Sequence, residues 1–259
     1  LRNYTLSVLA AEGFLPGYGL YDGGVTAFPG RQGAGQSFEL SRPPAVALRE
    51  FVPGNLLYAN RGRFQPRFYH LKATGEGPAS EEYVFDPESG WIARAGDPTP
   101  GYAGAETEVL PGLTIADVDL AHLSPIRDEE VDRFQMPVTV LGMALRHRRG
   151  GVTYTLGSTA VHHVLGQGLR LVNVGPADRV RAGEPGFPLC TVCGAARSPY
   201  ASARELDDFA TWHQDKCGRK PERVAFSADV VADALHFQDL DSLADAVNAL
   251  LLDPERARA

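Results

Sequence analysis

At 259 residues, with 44% hydrophobic and 22% charged content, the chain has the make-up of a globular protein of one or two domains. A net charge of −7 excludes a surface coated for nucleic-acid binding, and no apolar run approaches the length of a membrane span. No signal-peptide pattern opens the chain, and its three cysteines fall in one short segment that leaves none for disulfides. A reducing, cytoplasmic setting away from any membrane is therefore expected. The start at Leu1 reads as the edge of an excerpt from something longer.

Residues 1–13 bring Tyr4, Val8 and Ala11 together at helical spacing and stop at Gly13, which predicts a short helix with a glycine terminator. An aromatic, turn-rich run reaches Tyr21, and a brief strand is expected from Val25 to Phe28. Residues 30–37 (GRQGAGQS) have the glycine spacing of a phosphate-binding loop, but Gln36 stands where that loop needs lysine. Pro43 and Pro44 then block a long helix, so no ATP site is expected. Ser41 is positioned to cap a short helix with proline in its first turn, ended by Pro53 and Gly54.

Strands are expected at 56–60 and 64–73, and 82–85 should pair with 91–94 across the turn at 86–90. Between the first two lie Arg61 and Arg63. With Arg67 they flank Phe64, Phe68 and Tyr69, an arrangement in which arginines meet phosphate and an aromatic such as Phe68 stacks on a base. A second basic cluster is Arg146, Arg148 and Arg149. Taken alone, each cluster reads better as a solvated hairpin tip or strand face. The stretch 95–112, rich in Gly and Pro, reads as a linker or exposed loop.

From Met136 the texture is that of an antiparallel meander, with strands at 138–145, 152–156, 159–165 and 169–174 separated by glycine-containing turns. Residues 223–237 satisfy neither the helical nor the strand period, and 241 onward carries one apolar face of an amphipathic helix. The fold class expected is α+β, mainly antiparallel sheet with a zinc knuckle and a few short helices.

The meander leads into the most informative segment. Cys190 and Cys193 form a C-x2-C knuckle, His213 and Cys217 an H-x3-C pair, and nineteen residues separate the halves. Three thiols and one imidazole are the ligand count of a closed tetrahedral zinc site. Leu206, Phe209 and Ala210 fall at helical spacing, and His213 and Cys217 extend that face, so one ligand pair should come from a helix. A closed site leaves no position for water, which makes such a metal structural. A redox pair of cysteines would not explain the third cysteine beside a histidine.

Catalytic signatures are missing: there is no G-x-S-x-G elbow and no H-E-x-x-H pair. His162 and His163 are adjacent on an expected strand and point to opposite faces, so they cannot readily chelate one ion together. Asp229 and Asp233 read as ordinary charges.

The stretches GFLPGYG at 13–19, Ser41 with Arg42, and ALREFVPG at 47–54 resemble segments that follow the second motor domain in MrfA-type helicases and in helicase-associated proteins of DISARM phage defence. FPLCTVCG at 187–194, His213 to Cys217, and Val224 to Val231 resemble the MrfA zinc-binding domain of the same family. The resemblance implies a non-catalytic module attached to, or partnered with, a superfamily 2 DNA helicase, with motor domains and DNA as partners. The family uses four cysteines where this chain has three, so His213 takes the fourth place. On this basis residues 1–95 form a helicase-associated linker and hairpin region, and 113–259 the β region with the zinc-binding module and terminal helix. The expected role is structural support of the motor with contact to single-stranded DNA. The acidic balance supports another role, a protein–protein docking module without direct DNA contact.

Overall fold

The structure, a computed structural model, describes residues 24–30, 38–71, 80–97, 107–126, 133–145, 151–156 and 159–238. The expected helices at 1–13 and from 241, the glycine-rich run at 31–37, and Arg146, Arg148 and Arg149 lie outside them.

Thirteen strands and three short helices are seen among the described residues, which is the expected α+β class. The first sheet contains β1 (Val25–Pro29), β2 (Leu40–Arg42), β3 (Leu57–Ala59), β4 (Gly62–Tyr69) and β8 (Val118–Pro125), in the order β2-β1-β8-β4-β3. The second runs β10 (Gly151–Leu156), β11 (Thr159–Pro176), β13 (Glu222–Gln238), β7 (Glu108–Thr114), β5 (Ser80–Asp86), β6 (Trp91–Arg94). Two further strands attach to it: β9 (Val138–Ala144) on β11, and β12 (Phe187–Leu189) on β13. Pairing is mainly antiparallel, with parallel exceptions at β1–β8 and β7–β13. The helices are α1 (Pro44–Glu50), α2 (Arg179–Ala182) and α3 (Ala203–Cys217).

Two compact units divide the chain, 1–143 with 170–229, and 144–169 with 230–259; β11 and β13 contribute residues to both. Within the first unit, one core gathers Phe51 and Leu48 of the α1 region, Phe64 and Tyr69 of β4, Phe187 of β12 and Phe226 of β13. The Tyr69 and Phe187 rings lie 4.8 and 5.6 Å from that of Phe226, and the Tyr69 hydroxyl donates to the Phe51 carbonyl at 2.9 Å. A second core holds Tyr83, Phe85, Ile92, Leu110, Val172, Val174 and Ala225.

Those two cores explain why 223–237 obeys neither period. Val224, Phe226 and Ala228 feed the first core and Ala225 the second, so every residue from Val224 to Ala228 is buried. A strand buried on both faces loses its alternation. Only beyond Asp229 do exposed and half-buried residues alternate.

The hairpin across 86–90 forms as expected, with Phe85 opposite Ile92 and the Asp86 carboxylate accepting from the backbone of Glu88 at 2.9 Å. Three local expectations are corrected. Ser41 does not cap α1: it lies in β2 opposite Thr26, while Pro43 occupies the cap without a side-chain bond. The end of the expected 95–112 loop is strand β7, paired with both β5 and β13. Pro111 and Gly112 sit inside it, and a Cβ on Gly112 would enter the Tyr83 ring. Finally, Gly166 to Gly168 does not break the meander. β11 runs through it, and Gln167 donates to the Leu145 carbonyl at 2.7 Å.

Candidate metal centre

The centre begins where β12 ends. Cys190 donates its N–H to Ala195 and accepts from Gly194, both at 2.8 Å, which folds 190–195 into a tight knuckle. Gly194 has φ +77°, and a Cβ there would run into the carbonyl of Tyr69, so only glycine fits. The second ligand pair comes from α3. Ser202 caps it in a reciprocal box with Glu205, and Gly218 in the left-handed conformation ends it one residue past Cys217.

The Sγ atoms of Cys190, Cys193 and Cys217 and a ring nitrogen of His213 all lie within 4.8 Å of one another. His213 presents Nδ1, 3.6 Å from Cys193 Sγ and 3.4 Å from Cys217 Sγ. A tetrahedron with metal–sulfur bonds of about 2.3 Å and metal–nitrogen bonds of about 2.0–2.1 Å has sulfur–nitrogen edges of about 3.6 Å. The residues present therefore fit a metal ion. Cys190 and His213 are buried, Cys217 is half-buried and Cys193 reaches the surface. Partial burial, with the neighbouring Cys190 and Cys217 thiols, pushes the Cys193 thiol up to about 11. Burial and then the nearby Arg197 guanidinium lower His213, keeping its ring neutral and able to ligate.

Little else holds α3. Of its 15 residues only Phe209 and His213 are buried, and its outer surface carries Glu205, Asp207, Asp208 and Asp215. The Phe209 and Trp212 rings meet His213 edge-on, each at 4.5 Å. Phe209 alone is a small buried apolar anchor for four turns of helix, so bonds to an ion held by His213 and Cys217 would add much to its attachment.

The knuckle is also a piece of sheet. On β4, β8 takes one edge from Gly62 to Tyr69, whereas β3 takes the other only as far as Phe64. The knuckle pairs with its last residues, Arg67 to Tyr69. Phe68 bridges Ala195, Tyr69 donates to the Gly194 carbonyl and Ala196 to the Arg67 carbonyl, both at 2.8 Å. The β4–β8 register slips between Pro66 and Phe68, making Arg67 the extra residue of a bulge. That slip turns Tyr69 into the core and leaves Phe68 52% exposed.

The sequence-derived basic residues separate accordingly. Arg61 sits with Asn60 in a two-residue turn where both have positive φ, and is exposed. Arg63 bonds Ser124 at 2.8 Å. Arg67 lies beside the metal ligands, about 20 Å along the strand from Arg61 at 3.3 Å per residue. Arg197, which no motif in the sequence marks, faces Arg67 closely enough to lower its pKa, behind the larger effect of burial; Glu205 opposes both. Arg197 also lies over the Phe209 ring at 5.7 Å.

Outside the centre, Asp229 and Asp233 are structural: Asp229 grips Arg170 with both oxygens at 2.6 and 2.7 Å, and Asp233 accepts from Gly166 N–H at 3.0 Å. His162 bonds Thr153 at 2.8 Å. Among the described residues no other group of metal-ligating side chains comes together, and no helix is long and apolar enough to cross a membrane. Comparison with known proteins finds no matching family model, curated protein or solved structure, so the resemblance to the MrfA zinc-binding domain rests on its sequence motifs alone.

Proposed function

We propose that this chain is a non-catalytic zinc-binding accessory domain of a superfamily 2 DNA helicase or phage-defence helicase complex, which supports the motor and offers a surface to single-stranded DNA. The supporting observation is the pairing of the knuckle with Arg67–Tyr69, which ties the metal centre to the strand bearing the basic and aromatic side chains. Zinc is the metal this ligand set favours. Three thiolates and an imidazole at tetrahedral spacing are a soft, closed shell, and no vacant position is left for a substrate or water. The ion would hold α3 and the knuckle in place and take part in no reaction.

Around that centre, Phe68, Val192 and Trp212 are each more than half exposed, and Arg67 and Arg197 supply positive charge. Exposed rings beside arginines are the means by which proteins hold single strands without reading sequence. The test is filter binding of an oligothymidylate to the zinc-loaded chain across a salt series. Replacing Phe68 with Ala should weaken binding about tenfold, since stacking on one base is worth about 1–3 kcal/mol. Changing Arg61, Arg63 and Arg67 together to Ala should flatten the salt slope by about 0.7 for each phosphate that is no longer neutralised. Unaltered affinity and slope in that triple variant would overturn the DNA-binding role. Capture of a basic protein that resists nuclease, with no DNA retained at low salt, would establish the docking module instead.

A further inference from the structure

In the second compact unit β10 is the last strand of the eight-stranded sheet among the described residues. β10 pairs with β11 in unbroken register, from Gly151 opposite Val164 to Leu156 opposite Thr159, and its other side has no partner among the described residues. Natural edge strands are protected against further pairing by charge, proline or a bulge. β10 has none of the three: residues 151–156 read GVTYTL, uncharged and rich in β-formers. Val152 and Tyr154 are 54% and 55% exposed. They lie opposite His163 and Val161, and further along that face of β11 Leu165 is 49% exposed. An apolar stripe thus borders a row of backbone donors and acceptors that no described strand pairs with.

The strand is self-complementary. An antiparallel two-fold pairing centred on Thr153 sets Val152 of each copy opposite Tyr154 of the other, a β-branched and aromatic pair of the kind that stabilises sheets. On a chain of net charge −7, an uncharged edge is also where a second copy approaches with least repulsion. We infer that β10 is a homodimerisation strand, to which a second copy of this chain adds its own β10 antiparallel about a two-fold axis at Thr153. The residues involved are separate from the metal centre, and the inference stands independently of the DNA reading.

Sedimentation velocity on the full 259-residue, zinc-loaded chain tests it. The mass should rise twofold with increasing concentration. Val152→Lys and Tyr154→Glu should each hold the chain monomeric, and mixing the two variants should restore the dimer, because the new charges face each other across the axis. A second route does not depend on those variants: Thr153→Cys should cross-link two chains under mild oxidation, and Thr155→Cys, which faces Gly151, should do so far less. A single-chain mass at every concentration would overturn the inference. So would a dimer indifferent to both charge changes, or one whose cross-linking is equal at the two positions.

Discussion

The two ends of β4 carry the same kind of residue and are held by different means. At the first end Arg61 sits in a two-residue turn made by the chain's own hairpin, and Arg63 bonds the adjacent β8. At the other, Arg67 and Phe68 are shaped by a bulge and backed by the knuckle, whose Cys190 and Cys193 meet His213 and Cys217 of α3. Local backbone preference shapes the turn at the first end, and none of the candidate metal ligands takes part in it. The second also leans on four side chains from two distant segments that could hold a metal ion together. An arginine beside an aromatic therefore has different surroundings at the two ends, and only the second adjoins the candidate metal centre.

Substitutions can break this contrast. The largest effect belongs to the ligands. Cys190→Ser removes a buried thiolate from a closed site, and since structural zinc binding is worth on the order of 10 kcal/mol, the loss rivals the whole stability of a domain. Cys190→Ser, Cys193→Ser and Cys217→Ser should yield insoluble or protease-sensitive protein, with cleavage first in 203–217. His213→Ala should be milder, because water can take the fourth position. Next comes Gly194→Ala, which forces a side chain into positive φ and against the Tyr69 carbonyl. It should cost about 2–4 kcal/mol in denaturant unfolding and loosen Phe68 along with the knuckle.

A smaller effect is expected away from the metal. Arg170 is gripped by Asp229 and also donates to Glu81, with its own side chain only 17% exposed. Arg170→Ala should cost about 1–2 kcal/mol after allowance for the solvent around the carboxylates. Its pH dependence is signed. The Arg170 hydrogen bond lowers Asp229, and at Glu81 burial pulls upward but the Arg170 and Tyr83 bonds outweigh it. Groups lowered on folding stabilise fully above their unfolded values, about 3.9 and 4.3, and lose that contribution as pH falls through the folded ones. The gap between wild type and Arg170→Ala should be constant near neutrality and shrink in acid. Smallest of all, Arg61→Ala should leave the melting temperature unchanged, since the exposed turn takes no part in the metal end.

What was legible in the sequence was local. C-x2-C and H-x3-C are short-range spacings, and the structure brings those four side chains together as the spacing implied. The 82–94 hairpin was readable for the same reason. Non-local pairing was not. Pro111 and Gly112 look like loop residues, yet β7 lies between two strands, and Gly112 is there to clear the Tyr83 ring. β13 hid its period because alternate residues serve different cores. The bulge at Arg67 leaves no mark in residue type, so the knuckle's attachment to β4 could not be foreseen. One signal was present and passed over: Ser202 with Glu205 three residues on is a capping box, and it fixes where α3 begins.

If a metal holds the knuckle and α3 against β4, its removal must loosen both, which metal content measured together with thermal unfolding reads out. One zinc per chain is predicted, and chelation should abolish or sharply lower the cooperative transition while hydrogen exchange across 203–217 rises first. A metal-free preparation that melts cooperatively at an unchanged temperature, with 203–217 still protected, would show that no metal holds the knuckle and α3 in place.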